Sequence, residues 1–176
     1  MQEVLWVVVA AFLTFFPGCC GPSIPLEKRW RPPTHVTQSP FTHKDLYFTV
    51  SSHVYVRDLE QWKKDHPPGY SRNLILIHER IHAYRQSKQG IVRFINCYIF
   101  SKSYRWNEEL LATYAEMQYM KSQGRKTFNF ESTANTFSGE GYFHMVSKEK
   151  ALRQLKRAWY GHWKPKPGEL PDDLGF

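Results

Sequence analysis

Cysteine is scarce in this chain. Three occur in 176 residues, as the adjacent pair Cys19 and Cys20 and as Cys97 inside an apolar stretch, so their spacing describes no disulfide framework. Cys97 reads as a small core residue. No internal repeat and no long low-complexity tract interrupts the sequence, and for this length that leaves one domain with a sizeable core, plus tails. Long apolar runs are missing as well. The run from Val4 to Phe16 is too short for a comfortable membrane span and about the length of a signal-peptide core. Lys and Arg are absent ahead of it, where Glu3 stands, unlike an ordinary signal sequence. Residues 1–18 are therefore expected to be a signal peptide or signal anchor, separate from the fold. There is also no zinc ribbon, RNA-binding motif or compact basic run, so the formal net charge of +8 does not by itself point to nucleic acid. On an exported chain such a charge fits an anionic membrane surface; a solvated basic face with no partner fits it equally.

What is present divides the chain. Gly18-Cys19 resembles the junction at which bacterial lipoproteins are cut and acylated, although Phe16 and Pro17 stand where smaller or aliphatic residues are usual. The expected location is exported or membrane-anchored, in a bacterial cell envelope, with Cys19 as the lipid-bearing residue. Residues 19–43, with Pro22, Pro25, Pro32, Pro33 and Pro40 among polar neighbours, read as an extended tether. From residue 44 the pattern changes. Tyr47-Phe48-Thr49-Val50 and His53-Val54-Tyr55-Val56 alternate as strands do. A short helix from Asp58 to Lys64 should stop before Pro67-Pro68-Gly69. A longer one, capped by Ser71, should run to Gly90. Residues 91–101 are apolar enough for a buried helix, and another helix is expected from Asn107 to Gln123, closed by Gly124. Residues 128–145 show no clear period and read as a loop. Ser147 to Tyr160 reads as a basic amphipathic helix with Leu152, Leu155 and Trp159 inward. The expected class is α+β, a short β-sheet preceding a mostly helical core over residues 44–163, with an irregular tail at 164–176.

The chemistry-bearing stretch is Asn73 to Gln86, which contains His78-Glu79-x-x-His82. On a helix, residues four apart lie one above the other, so two imidazoles can aim at one point. That suits a tetrahedral zinc ion, and Glu79, about 100° round the same turn, can take a proton from zinc-bound water without binding the metal. The two histidines continue an apolar stripe through Leu74, Ile75, Ile77 and Ile81, and a buried imidazole needs a partner.

Downstream, Trp106-Asn107-Glu108-Glu109-Leu110-Leu111-Ala112-Thr113-Tyr114-Ala115-Glu116 resembles the third-ligand segment of the gluzincins, the thermolysin-like HExxH zinc peptidases that include the minigluzincins. The resemblance spans residues 71–120 and implies a small zincin-like domain with Zn2+ held by His78, His82 and one glutamate. Glu109 is favoured, because it places the small Ala112 one turn on, where helices must approach closely; Glu108 competes with it and Glu116 is a weaker choice. The aspartate with which the family orients a ligand histidine is Ala112 or Thr113 here. The resemblance implies peptide or protein substrates, Glu79 as general base, and a His or Tyr after the third ligand as oxyanion donor, for which His144 and Tyr142 are the candidates. It also implies a substrate-binding edge strand ahead of the metal helix, for which the strand holding Val54 to Val56 is the candidate. Two further functions remain open on the residues alone: a metal-stabilised envelope binding protein without turnover and, if the chain is not exported, a DNA-associated HExxH protease.

Overall fold

A computed structural model of the protein describes residues 35–39 and 47–174. The expected signal segment 1–18, the Gly18-Cys19 junction and most of the expected tether lie outside these residues. Within them the fold is mixed α+β, a three-stranded sheet and six helices. The strands are β1 (His35–Gln38), β2 (Phe48–Val50) and β3 (His53–Val56), in the order β1-β3-β2. Strands β2 and β3 pair antiparallel across Ser51 and Ser52, with Phe48 opposite Tyr55 and Thr49 opposite Val54; Ser51 turns the chain at φ 54°.

Two expectations are corrected here. Residues 35–38 belong to the sheet and not to a tether, because β1 pairs parallel to β3 from His35 to Gln38. Strand β3 is consequently central, hydrogen-bonded on both sides, so it cannot be the substrate-binding edge; among the described strands the edges are β1 and β2. Alternation in β3 does what it predicts: Val54 and Val56 are buried with Trp62, and Ile75 and Leu76 pack against that cluster.

The helices are α1 (Leu59–Asp65), α2 (Tyr70–Gln89), α3 (Ile91–Phe100), α4 (Lys102–Ser122), α5 (Phe130–Ser138) and α6 (Lys148–Trp159). Side-chain oxygens cap four of them: Asp58 on the Gln61 amide, Ser101 on Tyr104, Asn129 on Ser132 and Ser147 on Lys150, each replacing a bond the first turn lacks. Ser71 does not cap α2, which begins at Tyr70 after Gly69. Gly90 separates α2 from α3 at φ 84°, a conformation a side chain would oppose. The segment expected to be a loop instead contains α5 and a 3-10 turn, Glu140–Tyr142. Phe130, Ala134 and Phe137 have helical spacing and turn toward Trp106 and Trp159.

Helix α4 is the centre of the molecule. One side meets α2 through Ile77, Ile81, Leu111, Ala112, Ala115 and Tyr119, the two alanines leaving room for close approach. Another side, with Trp106, Leu110 and Met117, packs on α5 and α6. Each fully buried Leu or Ile stabilises by about 1.5–3 kcal/mol, so this seam holds α2 and α4 in a fixed register. Residues 164–174 form no helix or strand, yet they are docked. Leu170 and Leu174 lie on the α2–α4 cluster, Arg80 donates to the Leu174 carbonyl at 2.8 Å, and Tyr84 donates to that of Gly168 at 3.3 Å. Helix α3 departs most from expectation. Phe94 alone in it is buried, Cys97 is only half-buried, and Val92 and Phe100 face solvent.

Candidate metal centre

Helix α2 carries His78 and His82 one turn apart on the face turned to α4, their ring centroids 4.9 Å apart. Helix α4 brings Glu109 between them. Its Oε2 lies 3.2 Å from His78 Nε2 and its Oε1 3.4 Å from His82 Nε2. One donor atom from each of the three residues falls within 4.8 Å of the others, a group that could hold a metal ion. Adjacent glutamates on a helix point about 100° apart, and the packing of α4 separates their roles. Glu108, fully buried, is gripped by Arg85, which donates from Nε at 2.9 Å and from Nη2 at 2.8 Å. Glu109 is left to the histidines.

The donors fit a metal chemically as well as geometrically. His82 Nδ1 and Glu109 Oε2 are buried with no hydrogen-bond partner, a costly condition that a bound cation would relieve at the carboxylate. Two imidazoles and one carboxylate form a donor set zinc favours in catalytic sites. Burial by itself would lower the His78 pKa, but the carboxylates of Glu116 and Glu109 override it and hold the imidazole well above its ordinary value. Burial would likewise raise Glu109; His82 and His78 outweigh it and keep the carboxyl well below the usual range.

Several partners of these residues were not legible in the sequence. Glu116 Oε1 accepts from His78 Nδ1 at 2.7 Å, which leaves Nε2 facing Glu109 and supplies the orienting carboxylate that Ala112 and Thr113 lack. It stands seven residues after Glu109, two turns along the same face, a spacing that could have revealed it. Tyr98, from α3, donates its hydroxyl to Glu109 Oε1, and its ring lies across His82. Thr49, from β2, donates to Glu79 Oε2 at 2.6 Å. Gln86 ties the same strand to α2 by donating to the Thr49 carbonyl at 2.6 Å and accepting from the Ser51 amide at 2.9 Å. No local signal marks Tyr98 or Thr49; one reads as packing and the other as an ordinary strand residue.

The two candidates from the 142–144 segment part company. Tyr142 lies within the field of Glu109, Glu79 and Glu116; the charge on Glu109 and then burial push its phenol well above the ordinary value. Burial, then Glu109, does the same to Tyr98. Both phenols therefore keep their protons and can donate. His144 does not join them: it is exposed, and its Nδ1 donates to the Ser138 carbonyl of its own turn at 2.6 Å. The structure thus gathers His78, Glu79, His82 and Glu109, packs the Tyr142 ring on Phe137, and leaves His144 aside. No family model matches the chain, and comparison with characterised proteins and with solved structures finds no match.

Proposed function

We propose that this protein is a zinc-dependent peptidase of gluzincin type, with His78, His82 and Glu109 as ligands and Glu79 as general base. The observation that carries the reading is the convergence of those three donors with a second buried carboxylate, Glu79, beside them and held by Thr49. Zinc held by such a set supplies a Lewis acid that polarises a carbonyl and lowers the pKa of water toward about 7. The remaining work belongs to the chain. Glu79 accepts the proton of the attacking water and returns it to the leaving amine, a role worth about 100-fold to 10,000-fold in rate. The Thr49 hydroxyl occupies Glu79 Oε2, which fixes the carboxylate's plane and leaves Oε1 for that proton. Tyr142, kept protonated by the surrounding carboxylates, is the donor for the developing oxyanion; Tyr98 holds Glu109 in place. Glu116 orients His78.

The experiment is a pairing of metal analysis with a generic peptidase assay on wild type and Glu79→Gln. The amide keeps the shape and leaves all three ligands in place, so zinc content is expected to be unchanged and cleavage to fall by at least about 100-fold. Equal cleavage by both proteins would sink the mechanism. Zinc in both, with cleavage in neither, would instead favour a metal-stabilised binding protein.

A further inference from the structure

Helix α3 has two faces with different surroundings. Phe94 and Tyr98 turn inward against His82, whereas Val92 and Phe100 are 58% and 74% exposed and Ile95 and Ile99 are half-buried. At about 100° per residue, Val92, Ile95, Ile99 and Phe100 fall on one outward stripe, interrupted by Asn96 and bordered by Arg93. Phe143 lies at its end. Arg105 donates to the Ile99 carbonyl at 2.6 Å while its guanidinium sits 5.3 Å from the Phe143 ring, so the turn after α5 is held beside the last residues of α3. Phe143 and His144 take φ of 55° and 46°. Bulky residues seldom adopt that region. The result is a phenyl ring left 43% exposed.

The charges along α3 and its flanking turns have one sign, with one exposed acid, Glu140, in the turn that carries Phe143. Between Ser87 and Asn107 there is no Asp or Glu, while Lys88, Arg93 and Lys102 are exposed. Apolar side chains rimmed by lysine and arginine match the boundary between acyl chains and anionic headgroups, where the first are buried and the second meet phosphates. A second copy of the chain fits badly. A symmetric contact centred on α3 would set Lys88, Arg93 and Lys102 of the two copies against each other, with no acid on α3 to pair them.

We propose that the outer face of α3, together with Phe143, is a docking surface for an anionic lipid membrane. No helix among the described residues is long and apolar enough to cross. Tyr98, on the opposite face of the same helix, bonds Glu109, so docking keeps the metal centre roughly one helix diameter, about 10–12 Å, from the lipid. The surface stands independently of any peptidase activity.

Hydrogen exchange on the full-length protein tests it, because the readout is local and any membrane affinity of residues 1–34 cannot imitate it. Peptides covering 91–100 and 140–146 are expected to exchange several-fold more slowly with vesicles of equal phosphatidylglycerol and phosphatidylcholine. Pure phosphatidylcholine should give little protection, and about 0.5 M salt should reverse most of it. Val92→Asp with Phe100→Asp should abolish the protection without changing metal content. Unchanged exchange with anionic vesicles would overturn the proposal, as would protection that the double variant retains. Protection that grows with protein concentration in the absence of lipid would overturn it too, by showing that a second copy covers the face.

Discussion

At the scale of single residues, neighbouring side chains with the same chemistry perform different tasks. Glu108 and Glu109 are both carboxylates at full or nearly full burial, one paired with Arg85 and the other with two histidines. Glu109→Gln should therefore lose zinc. Glu108→Gln should retain it and lose stability, because it weakens a buried ion pair whose complete disruption costs about 3–5 kcal/mol. Metal analysis and thermal unfolding of the two variants separate these outcomes, and zinc loss from Glu108→Gln alone would reverse the assignment. Glu116 acts through His78. Glu116→Ala should weaken zinc binding about 10-fold to 100-fold, the usual effect of removing such a partner, with Glu116→Gln in between because its amide oxygen can still accept from Nδ1. Competition with a chromogenic chelator measures this; unaltered affinity in both variants would show that the bond does not matter to the metal.

Among elements, the contact of greatest consequence joins a three-residue strand to the metal helix. Strand β2 reaches α2 through Thr49 with Glu79 and through Gln86 with the backbone at Thr49 and Ser51. Removing the Thr49 hydroxyl leaves the Gln86 bonds intact, so Thr49→Val should keep the fold and the zinc while kcat falls with little change in KM. Thr49→Ser should restore most of the rate. A loss of zinc in Thr49→Val would mean that the strand supports the ligands and not the base. The docked tail is a second such contact. Deleting residues from 164 onward uncovers the cluster under Leu170 and Leu174 and removes the carbonyl partner of Arg80. Two partly buried leucines contribute about 2–4 kcal/mol, and calorimetry should show a lower Tm of that origin.

For the whole molecule, metal, protons and stability are linked. In the metal-free protein the His78 pKa is raised, by Glu116 and Glu109 against the effect of burial. Its contribution to stability is complete below about 6.5, the unfolded value, and is lost as pH rises through the raised folded value. Glu109 works in the other direction: its pKa is depressed, so its contribution is present above about 4.3 and is lost as pH falls. The metal-free protein should therefore weaken toward alkaline pH. On the proposed function, zinc would need the His78 proton removed from the ring nitrogen that would bind it, so its affinity should rise over that same range. The Tm difference between zinc-loaded and chelated protein is expected to widen between about pH 6 and pH 9. A difference that narrows would contradict the coupling of His78 to the two glutamates.

How much of this was legible beforehand follows from range. His78, Glu79 and His82 share one helical turn, so their spacing along the chain was their spacing in space. The strands at 48–50 and 53–56 and the helix starts at Asp58 and Ser147 are likewise local matters of alternation and short hydrogen bonds. Helix α5 was missed because its apolar residues, Phe130, Ala134 and Phe137, are diluted by Ser, Thr and Asn. The centrality of β3 was missed because β1 joins it from outside the run of alternating residues. The choice of Glu109 over Glu108 depends on which way α4 rolls against α2, and that rests on Ala112 and Ala115 packing at the seam and on Arg85 claiming the other carboxylate. Thr49, Tyr98 and Glu116 became partners of the centre only when β2, α3 and α4 were assembled round α2. Sequence by itself determined the motif and most of the elements, though not β1 or α5, through interactions within a few residues. Tertiary structure decided between Glu109, which the sequence favoured, and Glu108, and alone decided the groups that orient the site and the exposure of α3, because each depends on packing between segments far apart in the chain.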